Sequence, residues 1–219
     1  MVMDKRNEHL EHLSEIRSLM ERSSRFISLS GLSGIAAGIF ALMGAAAVYI
    51  YFNITPFSTI HPHLSYGDVN AAAERWGIDY LTFFFLDAAL VLTCALSAGI
   101  FFTTRKAKRK GQKIWDGLTQ KLLLNLMIPL VAGGIFCLAM IKYGLFGLVA
   151  PATLIFYGLA LVNGGKYTLS DIHYLGLCEI GLGLIALFNV GYGLEFWAIG
   201  FGFLHIIYGT VMYFKYEKE

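Results

Sequence analysis

Apolar residues along this chain are concentrated in six long runs, and most polar residues lie between them. The runs cover about residues 26–52, 78–102, 122–141, 145–162, 172–190 and 196–214. Each has about 18 to 27 residues, enough for a helix rising 1.5 Å per residue to cross a hydrocarbon core of about 30 Å. Because backbone groups in lipid must be hydrogen-bonded within their own segment, the runs predict helices. The predicted fold is all-α, a polytopic membrane protein with six transmembrane helices.

A polar segment of 25 residues precedes the first run. Leu10, Leu13 and Ile16 are spaced three apart in it, which predicts an amphipathic helix. We therefore expect a cytoplasmic helix over residues 1–25 and a transmembrane domain over residues 26–219. The helix rests on the inner leaflet or on the cytoplasmic loops, or else it binds a partner or forms a dimer.

Composition supports a membrane protein. The mean hydropathy is +0.62, with 57% hydrophobic and 15% charged residues, whereas soluble domains carry about 25% charged residues. A water-soluble globule is excluded by this shortage of charge together with the apolar runs. Nucleic-acid binding is not expected, because no soluble domain is present to carry it.

The few charges are distributed unevenly. With the N-terminus inside, 15 of the 17 lysines and arginines fall on the cytoplasmic side, and only Arg75 and Lys142 fall outside. The positive-inside rule then predicts cytoplasmic termini, and we expect a bacterial inner (plasma) membrane. The segment from Arg105 to Lys113 is the most basic, which predicts contact with anionic lipid head groups.

Glycine patterns in the runs indicate a repeat. Similar short stretches begin at Gly38, Gly134 and Gly183 in the first, third and fifth runs, and a glycine recurs in the partner runs at Gly99, Gly158 and Gly209. These matches predict three repeated helical hairpins, the alternative being shared membrane composition. The first run also stacks small residues from Ser30 to Ala41 on one face, which predicts a close helix contact.

Three ionisable side chains lie within the runs: Asp87, Glu179 and His205. Charged groups in a membrane are costly, so each is a candidate functional residue. Asp87 lies about nine residues from the outer end of its run. We expect it to face an outward cavity or to pair with Lys142 or Tyr80.

Glu179 and His205 are predicted to meet. They lie roughly 10 and 13 Å from the cytoplasmic ends of their helices by the helical rise, and the two helices are joined by a short loop. Both lie among small residues: Gly176, Gly183 and Ala186 beside Glu179, and Ala198, Gly202 and Gly209 beside His205. Close approach of these two faces predicts a Glu179–His205 contact, which Tyr157 and Asn125 extend.

Metal and cofactor sites have little support in the sequence. His61 and His63 in the outer loop are weak metal candidates, because two histidines two residues apart share one face of an extended chain. The three cysteines lie in separate runs and form no ligand set. We expect no bound cofactor. A membrane enzyme, which needs clustered acid, base or metal ligands near one interface, stays open but fits the sequence least.

Two functions fit the sequence best. Buried titratable groups, glycines and prolines that allow hinge motion, and a repeat are typical of a small proton-linked conduit or transporter. Small-residue faces and a polar N-terminal helix equally suit a non-catalytic regulatory or assembly protein. Such a protein would act through a second copy or another membrane protein, with the Glu179–His205 contact as a polar clasp.

Overall fold

The computed structural model describes residues 30–57, 73–109, 111 and 114–218. Within these ranges, six helical segments are long and apolar enough to cross a membrane. They are α1 (Gly31–Phe52), α2 (Tyr80–Arg109), α3 (Gly117–Lys142), α4 (Val149–Gly164), α5 (Ser170–Leu187) and α6 (Gly193–Tyr216), with short 3-10 turns at both ends of α4. The chain is a multi-pass integral membrane protein with the predicted all-α fold.

Some sequence predictions fall on residues that are not described. The amphipathic helix over residues 1–25 and the loop histidines His61 and His63 lie outside the described ranges. These predictions stay predictions.

The ends of α2 and α3 follow from local chemistry. α2 continues to Arg109, seven residues past its predicted run, with Lys106, Lys108 and Arg109 in its last turn, where cations are favoured by the helix dipole. Before α3, Asp116 accepts the backbone N–H of Thr119 at 2.7 Å. That hydrogen bond lowers the pKa of Asp116, so the cap stabilises the helix above the usual aspartate pKa and weakens as pH falls.

Helices that follow one another in sequence run antiparallel. α1 packs against both α2 and α6, α4 packs against both α3 and α5, and α6 also touches α4 and α5. We call the end of the bundle where α2 and α6 finish, at Arg109 and Tyr216, the basic end. Because α6 touches α1, α4 and α5, it links the α1–α2 pair to the group formed by α3, α4 and α5.

The predicted small-residue face of α1 is confirmed as a close helix contact, and its partner is α6. A Cβ atom added to Gly38 would lie 2.6 Å from the carbonyl oxygen of Gly202. One added to Gly34 would lie 3.2 Å from the Cα of Gly209. The two backbones approach this closely because glycines face one another along the contact.

The expected contact between the small faces of α5 and α6 is wrong. Gly176 and Gly183 of α5 pack against α4: a Cβ atom on Gly176 would lie 2.7 Å from the Gly158 carbonyl oxygen. The small face of α6 packs on α1 instead. A face of small residues predicts that some helix packs closely against it, but it does not predict which helix.

The packing does not follow the predicted hairpin repeat. Gly38 and Gly183 touch neighbouring helices, whereas Gly99 and Gly134 have no described atom within 4 Å of an added Cβ. Equivalent positions in the hairpins therefore have different environments. The repeat stays a prediction.

The two prolines within the transmembrane helices have different positions. α4 starts at Val149, so Pro151 lies in the first turn, where a missing backbone N–H leaves no hydrogen bond unmade. Pro129 does lie inside α3.

The basic end is closed by ion pairs. Lys106 Nζ lies 3.3 Å from Glu217 Oε1, and their side chains are only 7% and 11% exposed. Glu217 also accepts a hydrogen bond from the Ser30 hydroxyl at 3.1 Å and one from the Gly31 backbone N–H. Lys106 thus departs from the prediction that Arg105 to Lys113 all face lipid head groups, because its ammonium has an internal carboxylate partner.

Candidate functional site: a buried carboxylate beside a π-helical segment

Glu179 lies in the middle of α5 and has no contact with solvent. It follows the start of the helix at Ser170 by nine residues, about 14 Å of helical rise, and its exposed fraction is 0%. Neither carboxylate oxygen has a hydrogen-bond partner among the described residues. An ionised carboxylate in such a position loses its hydration without compensation, which costs several kcal/mol. The arrangement therefore favours the neutral acid or a proton shared with a neighbour.

The carboxylate is accommodated by a glycine in an unusual stretch of α6. Residues Ala198–Leu204 adopt π-helical geometry, in which each turn contains more residues than an α-helical turn. A Cβ atom on Gly200 in this stretch would lie 2.5 Å from Glu179 Oε2. Single π-helical turns within α-helices are frequent at functional sites. Glycine at position 200 is thus what allows Glu179 to reach the backbone of α6.

His205 follows the π-helical segment directly and connects three polar groups. Its Nδ1 atom lies 3.0 Å from the carbonyl oxygen of Gly200 and 3.5 Å from Glu179 Oε1. Its Nε2 atom lies 2.7 Å from the hydroxyl of Tyr157 on α4. A carbonyl oxygen only accepts, so this geometry assigns the proton to Nδ1 and makes Nε2 the acceptor of the Tyr157 hydroxyl.

The surroundings of the three residues are apolar. Leu154 and Leu182 approach Gly200 beside the carboxylate, and the ring of Phe201 lies 4.8 Å from that of Tyr157. Toward the basic end, a cluster of buried apolar side chains follows, formed by Leu161, Leu169, Ile172, Leu175 and Met212. In such surroundings electrostatic interactions are strong, so one added or removed proton has a large effect.

The structure brings together three of the four residues expected at this site. Glu179, His205 and Tyr157 are in contact, but Asn125 does not extend the cluster. Its side-chain amide donates to the carbonyl of Lys121 in its own helix at 2.8 Å. Asn125 lies near the start of α3, whose main packing partner is α4.

Asp87 lies apart from this cluster, against α1. A Cβ atom on Gly44 would lie 3.2 Å from Asp87 Oδ2, and the side chain is half-buried. Neither of the predicted pairs, with Lys142 or with Tyr80, is formed by the described residues, because the carboxylate turns toward the glycine of α1. Asp87 makes no hydrogen bond or ion pair within the described ranges.

Two buried residues have no prediction from the sequence. Glu195 lies just before the sixth apolar run and outside the Glu179 site, and it is 5% exposed and accepts the Phe57 backbone N–H at 3.4 Å. The other is Gly200, for which the one available signal was its spacing from Gly202, two glycines within a single turn.

The described part of the chain contains no group of three histidine, cysteine, aspartate or glutamate side chains that would hold a metal ion. Comparisons with protein-family models, with curated proteins and with solved structures found no match for this chain.

Proposed function

We propose that this integral membrane protein is a small proton-linked transporter or conduit in which Glu179 binds and releases the proton. The observation that carries the proposal is the pairing of a fully buried carboxylate, without any described hydrogen-bond partner, with a histidine in mid-bundle. Intramembrane ionisable groups of this kind mark proton and substrate pathways. A carboxylate whose only role is structural is normally hydrogen-bonded.

His205 and Tyr157 have distinct roles in this proposal. The Nδ1–H group of His205 is the nearest donor for an ionised Glu179, at 3.5 Å. Tyr157 holds the other nitrogen of the ring at 2.7 Å and so fixes its orientation. In this proposal the structure corresponds to an occluded state, since Glu179 has no solvent contact. Transport requires a second state in which α5, α6 or α4 moves and water reaches the carboxylate.

A second candidate is a regulatory or assembly protein that acts through helix contacts. The same burial favours it, because a dry polar clasp between α5 and α6 would fix helix register without binding anything. Asp87 adds to this candidate, since a half-buried carboxylate without a described partner suits a polar group on a second copy or another membrane protein. In this case the protein moves no protons, and replacing Glu179 changes only its stability or its partner binding.

We further propose that the basic end faces the cytoplasm of a bacterial inner membrane. The distribution of 15 against two basic residues supports this orientation, and Lys108 and Arg109 then lie at the level of anionic head groups. Single cysteines at Lys108 and at Tyr143, in a chain without native cysteines, test it with a membrane-impermeant thiol reagent on intact spheroplasts. Labelling is expected at position 143 alone; labelling at position 108 alone would reverse the orientation.

The main test is proton flux into proteoliposomes loaded with a pH-sensitive dye. Under an imposed membrane potential the native protein is expected to carry protons. The variant Glu179→Gln is expected to reduce flux to that of empty vesicles, because the amide has nearly the same size and cannot titrate. The control is Glu195→Gln, which changes another buried carboxylate outside the proposed site and is expected to keep most of the flux.

Two results would contradict the proposal. Equal flux from the native protein and Glu179→Gln would show that the carboxylate is not on the proton path. If correctly folded native protein carries no protons over a range of gradients and potentials, the regulatory candidate replaces the transporter.

A further inference from the structure

Gly200 and Glu179 face the same hydrogen-bond donor. The Nδ1–H group of His205 lies 3.0 Å from the Gly200 carbonyl oxygen and 3.5 Å from Glu179 Oε1. The first distance is that of a hydrogen bond, and the second is too long for one. In this state the histidine therefore donates to the backbone of its own helix, and the carboxylate receives nothing.

We infer that Gly200 is a positioning residue that couples the charge of Glu179 to the winding of α6. When Glu179 carries its proton, the Nδ1–H group stays on the Gly200 carbonyl and residues Ala198–Leu204 keep π-helical geometry. When the proton leaves for water, the Nδ1–H group of His205 donates to the carboxylate instead. The π-helical segment then changes to α-helical geometry. The inference rests on the proposed function in one respect, the titration of Glu179.

The titratable groups that face Glu179 leave the Gly200 carbonyl and the carboxylate competing for one N–H donor. Among the described residues, the titratable groups beside it are His205 from α6 and Tyr157 from α4. Cys178, the residue before Glu179, and Tyr208, one turn beyond His205, are paired with each other at 3.6 Å. An ionised Glu179 therefore has one nearby N–H donor, and charge-assisted hydrogen bonds of this type are about twice as strong as neutral ones. Once Glu179 is charged, the Nδ1–H group of His205 is expected to donate to the carboxylate and no longer to the Gly200 carbonyl.

Loss of the histidine donor has a consequence for the backbone. In π-helical geometry the Gly200 carbonyl faces the backbone N–H group of residue 205, and the His205 side chain gives it a second donor. An α-helical turn pairs the same carbonyl with the N–H group of residue 204 instead, so losing the side-chain donor removes one interaction that favours π-helical geometry. A π-helical turn contains about one residue more than an α-helical turn, so the change shifts the register of all residues that follow it by about one residue. The rest of α6 then turns by about 100° and moves by about 1.5 Å along its axis.

The part of α6 that would move carries the contacts that close the basic end. Gly209 packs on the backbone of α1. Beyond it, Lys215 and Tyr216 both contact Asp171 at the start of α5, at 3.1 and 2.7 Å. A change of winding at Gly200 would alter all of these contacts together. A proton at mid-membrane is thereby linked to opening at the basic end.

The test combines two measurements on the full chain in lipid nanodiscs at a series of pH values. Infrared difference spectra follow the C=O stretching band of a protonated Glu179, identified by its loss in Glu179→Gln. Electron paramagnetic resonance follows the distance between spin labels at Leu177 on α5 and Val211 on α6, both of which face outward. The labelled chain has its three native cysteines replaced.

The expected result is a shift of the label distance at the same pH at which the infrared band disappears. Glu179→Gln is expected to keep the low-pH distance at every pH, because its amide stays neutral. Gly200→Ala is expected to displace the carboxylate, since the new methyl group would lie 2.5 Å from it, and to abolish the pH-dependent shift. The matched control is Gly181→Ala on α5, where an added Cβ meets no described atom within 4 Å, and the shift should remain.

The outcomes separate this inference from the proposed function. If the infrared band titrates while the label distance stays constant, the coupling through Gly200 is wrong and proton binding at Glu179 stands. If Gly200→Ala fails to fold, the native chain and Glu179→Gln still test whether the charge of Glu179 changes the winding of α6. A native label distance that does not depend on pH would contradict the inference. A band that persists at every pH at which the protein is folded would overturn both.

Discussion

Replacing Gly209 with leucine is expected to destabilise the protein by about 3 kcal/mol or more, at the upper end of the range for overpacked positions. A Cβ atom at this position would lie 2.6 Å from the backbone nitrogen of Ile35 and 2.7 Å from the Gly31 carbonyl oxygen. Backbone atoms of a helix cannot move aside as a flexible side chain can. α1 and α6 must therefore separate, and the close contacts at Gly34 and Gly38 are lost with them.

Unfolding of purified protein in mild detergent measures this effect, followed by tryptophan fluorescence against temperature and denaturant. The control is Gly134→Leu on α3, where an added Cβ has no described atom within 4 Å. Its effect is expected to be neutral or slightly stabilising, because glycine within a helix costs about 1 kcal/mol relative to good helix formers. Similar losses from the two variants would mean that the glycine contact between α1 and α6 adds nothing to stability.

The second large effect is expected at the ion pair of the basic end. Glu217→Ala leaves Lys106, which is 7% exposed, without its carboxylate, and removing one partner of a buried pair costs about 3–5 kcal/mol. The substitution also removes the acceptor for Ser30 and for the first backbone N–H of α1. Lys106→Met should cost less, because Glu217 keeps those two hydrogen bonds and a favourable position at the N-terminus of a helix.

The same unfolding assay gives this order of stability, and a second ion pair provides the control. Lys215 pairs with Asp171 at 3.1 Å, but its side chain is 53% exposed. Lys215→Met is expected to cost about 0–1 kcal/mol, the range for solvent-exposed pairs. If this variant lost more stability than Glu217→Ala, burial would not be the property that makes the Lys106–Glu217 pair important.

The pairing of Glu179 with His205 was predicted correctly, but the reason given for it was partly wrong. Depth and chain connectivity placed the two residues at similar levels on neighbouring helices. The small faces that were expected to bring them together pack on α4 and α1 instead. The contact forms because Glu179 has a long side chain and because Gly200 leaves space for it. The pattern of small residues on a helix face does not show how far a long side chain extends toward a neighbouring helix.

Asn125 and Asp87 show the limit of reasoning from depth alone. Asn125 lies near the basic end at a suitable level, yet it is on a helix that packs mainly on α4. Asp87 was matched with Tyr80 and Lys142 by level and charge, yet it rests against Gly44. Level in the membrane can be read from helix boundaries, whereas the direction of a side chain around its helix depends on which neighbour that helix packs against.

The sequence by itself determined the six spans, their alternating direction and the ionisable residues within them. These follow from the length of apolar runs and from the cost of leaving backbone or charged groups unsatisfied in lipid, which are properties of single segments. Only the tertiary structure decided which helix faces meet, that α6 contains a π-helical segment, and that Lys106 and Glu195 are buried. Small residues allow many helix pairings of similar energy in a membrane, where no hydrophobic force selects among them. The choice therefore depends on contacts between distant segments, such as Gly209 against α1 and Glu179 against Gly200.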